Sequence, residues 1–312
     1  MDVRCFALRP YRWEEQDVAD EGLWSETDTS EEPMGTKEKH WVKDQQQFSW
    51  LFKQARSREN ETLGEDWCEC LVHGLACLIG VPSACVTPAI CKGDRGLVSR
   101  SFKKPGERLE HGNELLSRVI PDYRLDTERE NQLYCPLNVF KALEGISSPI
   151  PMDGFSAYDV WSSYLLLDAW VAGRDRHHQN WGVLRCREDE ARLAPSFDHG
   201  NALGFQVPER ELAQYLDRGV ESWCRRGRSH HFSGKPMLTD LAAEALRAAS
   251  PEAQDYWTGR LEDVKPSDVV ELLEAVPREI LSEQRGRFIL ELLQVNRRRL
   301  LDAIWSRTCS SH

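Results

Sequence analysis

Gly173-Arg174-Asp175-Arg176-His177-His178-Gln179-Asn180-Trp181-Gly182-Val183-Leu184, followed by Ser196-Phe197-Asp198-His199-Gly200, decides the reading of this chain. An Asp is followed five residues on by an Asn, then by a short apolar run, then by a second Asp before His-Gly. Phosphoryl transfer draws on three groups of these kinds. One carboxylate accepts the proton of the attacking hydroxyl, while an amide oxygen and a second carboxylate hold Mg²⁺ on the phosphates. Asp175 and Asn180 fit on one tight loop. Trp181 to Leu184 and Arg192 to Phe197 read as a hairpin that returns Asp198 to their side. An ordinary hairpin with polar ends is the competing reading, since short motifs recur by chance.

These residues resemble the kinase set Asp-x-x-x-x-Asn plus Asp-x-Gly. The Asp-Arg-His-x-x-Asn form of Asp175 to Asn180 is similar to the phosphatidylinositol-kinase and HipA-like branch. Ordinary protein kinases place the His and Arg before the Asp. The match is strong over residues 173–200 and weaker upstream. The resemblance implies an α+β, two-lobed protein-kinase-like fold, with a small β-rich N-lobe and a larger, mainly α-helical C-lobe. It implies ATP and Mg²⁺ as cofactors and phosphorylation of Ser or Thr hydroxyls. By the same resemblance Asp175 meets the acceptor hydroxyl, Asn180 and Asp198 hold Mg²⁺, and His177 packs and orients the loop.

Composition fits a soluble cytoplasmic enzyme. A chain of 312 residues makes one large domain or two lobes. No apolar run approaches the roughly 20 residues that span a bilayer, so no membrane association is expected. Arg4 and Arg9 interrupt any apolar signal segment at the N-terminus. The ten cysteines lack paired Cys-x-x-Cys clusters and read as reduced thiols, mostly in the core. A formal net charge of −11 argues against general nucleic-acid binding, which wants a basic surface. Much of that charge lies between Trp13 and Pro33, which holds no Lys or Arg. Residues 1–34 therefore read as an acidic, solvated segment.

Residues 35–104 read as the N-lobe and 105–312 as the C-lobe. Lys39 to Val42 and Phe48 to Lys53 are apolar-rich runs around the polar turn Asp44-Gln45-Gln46-Gln47, a β-hairpin pattern. HipA-like kinases are similar here, with a Gly-x-x-x-Lys loop over the ATP phosphates and a Lys on the next strand. That resemblance puts Gly35 and Lys39 on the phosphate loop and makes Lys53 the strand lysine. An ammonium at the end of the apolar strand Trp50-Leu51-Phe52 needs an anionic partner.

Apolar residues at helical spacing predict a helix over Glu65 to Ile79, closed by Gly80. Glu69 lies off the apolar stripe and can pair with Lys53, as a helix glutamate does in kinases. Glu65 and Asp66 are rivals on the same turn. Strands are expected at 84–90 and 96–102 around Lys92-Gly93-Asp94-Arg95. Lys103-Lys104-Pro105-Gly106 is the expected hinge, with Val98 to Phe102 near the base and the lobe boundary near Lys104.

The C-lobe reads as helical at 136–143, 156–172, 209–216, 239–249, 267–275 and 282–305, without internal repeats. Ser156 with Asp159 forms a capping box, and Gly173 ends the helix just before Asp175. One face of that helix is expected to be apolar. Arg297-Arg298-Arg299 reads as a solvated face, and His178 as exposed. Arg225, Arg226 and Arg228 form a cationic loop after Asp198, suited to an anionic acceptor or to nothing beyond solvent.

His177, His178, Asp175, Asp198 and His199 would also suit a metal-dependent hydrolase, although Asn180 has no role there. Other readings are a small-molecule kinase acting on an alcohol, sugar or antibiotic, and a nucleotide-binding scaffold without turnover. Longer HipA toxins carry an N-terminal subdomain that helps engage an antitoxin. Only about 30 residues precede Gly35 here, so no antitoxin partner is expected. The expected partners are ATP and a protein or small-molecule hydroxyl acceptor.

Overall fold

The computed structural model describes residues 13–19, 24–26, 39–58, 61–125, 131–187 and 190–306. Gly35 and most of the acidic N-terminal segment lie outside the described residues.

The alternating runs in the first third of the chain become strands. In chain order they are β1 (Gln16–Asp17), β2 (Trp24–Glu26), β3 (Lys39–Asp44), β4 (Ser49–Gln54) and a small ribbon of β5 (Ser57–Arg58) and β6 (Glu61–Thr62). The helix α1 (Glu65–Ile79) follows, then β7 (Val86–Cys91) and β8 (Asp94–Arg100). All but the ribbon join one six-stranded sheet of order β1-β7-β8-β4-β3-β2. β1 runs parallel to β7, and every other pair is antiparallel. Trp24, Val42, Phe52 and Val98 pack together in one cluster of this lobe. Cys70 of α1 packs with Val86 and Leu97 of β7 and β8.

Helix α1 has the expected bounds, with Gly80 closing it at φ 73°. The β7–β8 turn is tighter than expected. Cys91 pairs with Asp94 across Lys92 and Gly93, whose φ values are 52° and 90°. Two residues with positive φ make the turn that matches strand twist. The four-residue turn read from sequence therefore gives Asp94 and Arg95 back to β8.

Residues 101–107 lead from β8 to β9 (Arg108–His111), which is followed by α2 (Gly112–Val119), α3 (Pro136–Ala142) and α4 (Ala157–Val171). Then come β10 (Gly182–Arg187) and β11 (Glu190–Leu193), and a three-stranded sheet forms in the order β11-β10-β9. The remainder is helical: α5 (Glu209–Arg218), α6 (Glu221–Cys224), α7 (Leu238–Arg247), α8 (Pro251–Glu262), α9 (Pro266–Glu274) and α10 (Glu283–Trp305).

Helix α4 is the axis of this larger lobe. All fifteen of its residues are buried, against an expectation of one apolar face. Such burial is open to a helix most of whose polar groups are satisfied, although the Tyr158 hydroxyl and the Trp161 Nε1 are buried without a hydrogen-bond partner among the described residues. Ser162 and Ser163 donate to the carbonyls of Asp159 and Val160, and Asp168 is held by Arg176. The Ser156–Asp159 capping box is present. The helix ends one residue before Gly173: Ala172 takes the left-handed conformation at φ 57°, and the Gly173 N–H donates to the Asp168 carbonyl. Helix α8 was not anticipated, although Ser250 caps it and Pro251 opens it. The run Arg297-Arg298-Arg299 is not a purely solvated face. Its guanidinium groups reach the Val264 carbonyl, Glu221 and the Cys224 carbonyl respectively.

Candidate active site

Strand register sets the first group. Lys39 of β3 stands directly opposite Lys53 of β4, so the two lysines share a face of the sheet. The Lys53 Nζ lies 2.9 Å from Glu69 Oε1 on α1 and 3.9 Å from Asp198 Oδ1. The rival carboxylates have other partners. Glu65 pairs with Arg56, and Asp66 with Arg95 at 2.7 Å. Three acidic residues in the first two turns of one helix thus serve three different cations.

The second group is the loop between α4 and β10. Arg176 pins it from beneath, with two hydrogen bonds to Asp168 at 2.7 and 2.8 Å and a third to the Asn180 carbonyl at 2.7 Å. Both partners are buried, so loss of either would strand a charge. The start of α2 ties the loop down from above. Its first N–H groups have no partner within the helix. Gly112 donates to the Trp181 carbonyl and Asn113 to the His178 carbonyl, both at 2.9 Å, and His111 Nδ1 meets the Gln179 carbonyl at 2.7 Å. A Cβ on Gly112 would lie 2.2 Å from the Trp181 ring, so only glycine allows this approach. His178, expected at the surface, is buried instead. Its Nδ1 meets the Tyr123 hydroxyl at 2.8 Å, and its ring lies against Tyr123 and Tyr134. Burial pushes its imidazole down to about 4. His177 is half-buried: its main chain donates to the Asp175 carbonyl, its Nδ1 accepts from the Gln179 N–H at 3.2 Å, and its ring lies edge-on to His231.

Asn180 donates its amide Nδ2 to the Asp175 carbonyl at 2.8 Å, which leaves Oδ1 free to accept. The Asp175 side chain is 41% exposed, and its Oδ1 accepts a hydrogen bond from His231 Nε2 at 2.7 Å. Burial would lift this carboxyl, but the His231 hydrogen bond, with the charges of His231 and His177, outweighs it and holds the group below the usual carboxylate range. His231 was missed as a site residue. It is buried, and a built turn fixes it: Ser229 Oγ accepts from the His231 and Phe232 N–H groups, and the Phe232 ring stacks on Tyr134 at 4.0 Å. The only sequence signal was a His pair in a loop after Asp198.

Asp198 follows β11. The bridge between Ser196 and Ser83 ties its segment to the turn after α1. Its φ is 61°, uncommon for a residue with a side chain and frequent at functional sites. The carboxylate is 49% exposed. Asp168, Asp175, Asn180 and Asp198 line one small cavity together. The Asn180 Oδ1 and Asp198 carboxylate are oxygen donors of the kind Mg²⁺ takes, and the pair fits that ion. Beside them Phe197 stacks on Phe102 of the linking segment with centroids 5.7 Å apart, and His111 meets Phe197 edge-on. Lys103 Nζ lies 5.7 Å from the Trp41 ring centre. Lys53, Glu69, Asp175, His177, Asn180 and Asp198 are thus gathered around one cleft, with Lys39 beside Lys53 on the sheet. Gly35 lies outside the described residues.

The cationic loop is divided. Arg225 pairs with Glu221, which also takes Arg298. Arg228 donates to the Lys235 carbonyl, and Arg226 to the Tyr215 hydroxyl at 3.4 Å.

No protein-family model and no curated protein sequence matches the chain. Solved structures do. The Helicobacter pylori proinflammatory kinase CtkA aligns over 96% of this chain and 100% of its own, with a TM-score of 0.73 and 15% identity. HipA of Shewanella oneidensis MR-1, solved with HipB and operator DNA, aligns over 88% of this chain and 64% of its own, with a TM-score of 0.46 and 13% identity. The golgi casein kinase aligns over 97% and 74%, with a TM-score of 0.41 and 13% identity. The likeness to CtkA establishes the fold: two lobes, kinase-like, as the motif implied.

Proposed function

We propose that this chain is a HipA-like serine/threonine protein kinase that uses ATP and Mg²⁺ to phosphorylate a hydroxyl. The observation that carries the reading is Lys53, 2.9 Å from Glu69 and 3.9 Å from Asp198, opposite a loop that holds Asp175 and Asn180. Each residue then has a task. Lys53, oriented by Glu69, meets phosphate oxygens, with Lys39 beside it and Gly35 on the preceding loop. Asn180 Oδ1 and the Asp198 carboxylate hold Mg²⁺, which when bound offsets the charge on the phosphates. Asp175 accepts the proton of the acceptor hydroxyl. The hydroxyl oxygen bonds to the γ-phosphorus as the bond to the β-phosphate oxygen breaks, and ADP leaves. His231 and His177 hold Asp175 ionised and aimed. The stacked pair Phe102 and Phe197 offers a flat apolar wall to the base.

Two features disfavour the metal-hydrolase reading. His178 and His231 are committed to Tyr123 and Asp175. Among the described residues, no group of three or more His, Cys, Asp or Glu is placed to hold a metal. Among the same residues, no helix is long and apolar enough to cross a membrane. The direct experiment is mass spectrometry of the chain after incubation with Mg·ATP, alone and with a cell extract. A gain of one phosphoryl mass on the chain or on an extract protein is expected. No phosphoryl transfer by folded, ATP-saturated protein refutes the kinase reading.

A further inference from the structure

Arg174 immediately precedes Asp175 and is half-buried. Its guanidinium lies over the Trp223 ring, 5.0 Å from the centroid, while its main-chain carbonyl accepts from the His230 N–H. Among the described residues its side chain has no carboxylate or hydrogen-bond acceptor. Burial and the charge of Arg226 both press against its positive charge. Arg226 lies close by, exposed over the Tyr215 ring, and has no carboxylate partner among the described residues. Burial, Arg174, His231 and Lys235 together hold His230 below its usual imidazole range, against the opposing charge of Asp175.

This arrangement is unusual in a chain of net charge −11. Arg225, next to Arg226 in the chain, is already neutralised by Glu221. A half-buried guanidinium without an acceptor gives up hydration and is compensated here only by the face of Trp223. The Trp223 ring gives the guanidinium a seat, and its planar fork suits a carboxylate or a phosphate. An anion brought to Asp175 and Asp198 would otherwise be repelled by both.

We propose that Arg174 and Arg226 form an anion subsite beside Asp175, which selects acceptor peptides carrying a carboxylate or phosphate next to the Ser or Thr that is phosphorylated. The proposal rests on the kinase reading above and adds the acceptor class.

The test uses the full chain, Mg·ATP and four peptides that differ at one position beside a Ser: Asp, phosphoserine, Asn or Lys. We expect kcat/KM for the Asp and phosphoserine peptides to exceed that for the Asn peptide by about tenfold, the worth of one charge-assisted hydrogen bond. That ratio should fall towards one in Arg174→Gln and in Arg226→Gln, and Arg226→Glu should favour the Lys peptide. Arg226 is exposed, so its variants carry the test even if Arg174→Gln fails to fold. Equal use of all four peptides, or a ratio unmoved by the Arg226 variants, overturns the subsite and leaves the kinase reading intact. Phosphorylation of glycerol phosphate with no peptide labelled also overturns it, in favour of a small anionic acceptor. A chain that shows no stabilisation by Mg·ATP fails one step earlier, at the kinase reading itself.

Discussion

Lys53 illustrates how far a single residue can be read. Its place after Trp50-Leu51-Phe52 called for an anion, but the sequence offered three carboxylates within one turn and a half of α1. Helical geometry separates them: Glu69 faces Lys53, while Glu65 and Asp66 face Arg56 and Arg95. Replacing Lys53 by Met should lower kcat/KM by about a hundredfold, or roughly 2.7 kcal/mol of transition-state stabilisation. Glu69→Gln should cost less, and the double variant little more than Lys53→Met alone, because the two act as a unit. Fully additive losses would disconnect the pair from catalysis. Asp175→Asn should retain ATP affinity and lose most turnover, whereas Asp198→Asn should also weaken Mg²⁺-dependent binding. Wild-type phosphotransfer in both would remove them from the site. His231 lies 56 residues from Asp175, and no periodicity could have joined them. Since His231 helps depress the Asp175 carboxyl, His231→Gln should raise it. The acid limb of the kcat/KM profile should then move to higher pH, with KM for ATP nearly unchanged. A lower kcat with an unmoved acid limb would make the role of His231 purely steric.

Elements were legible where a period and a cap agreed. Helix α1 has thirteen residues between its acidic start and Gly80 that follow one pattern, and its bounds came out as read. Helix α2 has no strong start signal because His111 is a poor cap by type, and its Nδ1 is spent on the Gln179 carbonyl of the loop that holds Asp175 and Asn180. Its first turn is better understood as part of the site than as a surface helix. Gly112→Ala should push the Trp181 ring and the His178 carbonyl, destabilise the fold by about 1–3 kcal/mol as overpacking does, and reduce kcat more than KM. Thermal melts beside steady-state kinetics would check both, and an active variant of unchanged stability would contradict the close approach. The same loop carries a pH signature. Burial sets the folded His178 imidazole near 4, below the roughly 6.5 of an unfolded chain. Between those values the unfolded state binds more protons, so His178 costs stability progressively as pH falls from 6.5 towards 4 and costs nothing above. The melting temperature of His178→Gln should therefore depend less on pH than that of the wild type in that window. Parallel pH profiles would mean that the ring stays neutral or accessible in both states.

At the scale of the molecule, the two lobes and their order followed from the family resemblance that one motif carries, since that family pairs the motif with a lysine from the sheet. What the sequence could not supply was the closure between them, since contacts across lobes have no local pattern. Lys53 and Glu69 belong to the sheet and α1, while Asp198 belongs to the segment after β11, and they come within 3.9 Å. Cys68 of α1 also donates to the His199 and Ala202 carbonyls. On the proposed reading, a nucleotide in this cleft would touch both lobes and bind only the folded chain. At one hundred times its Kd it should add about 2.7 kcal/mol of stability, which for a chain of this size is a rise in melting temperature of roughly 4 °C. The rise should need Mg²⁺, shrink in Lys53→Met and Asp198→Asn, and survive in Asp175→Asn, because the role proposed for Asp175 is toward the acceptor and not the phosphates. If Asp175→Asn abolished the shift while Asp198→Asn kept it, the two carboxylates would have their roles exchanged. An equal shift in all three variants would place the nucleotide away from the cleft.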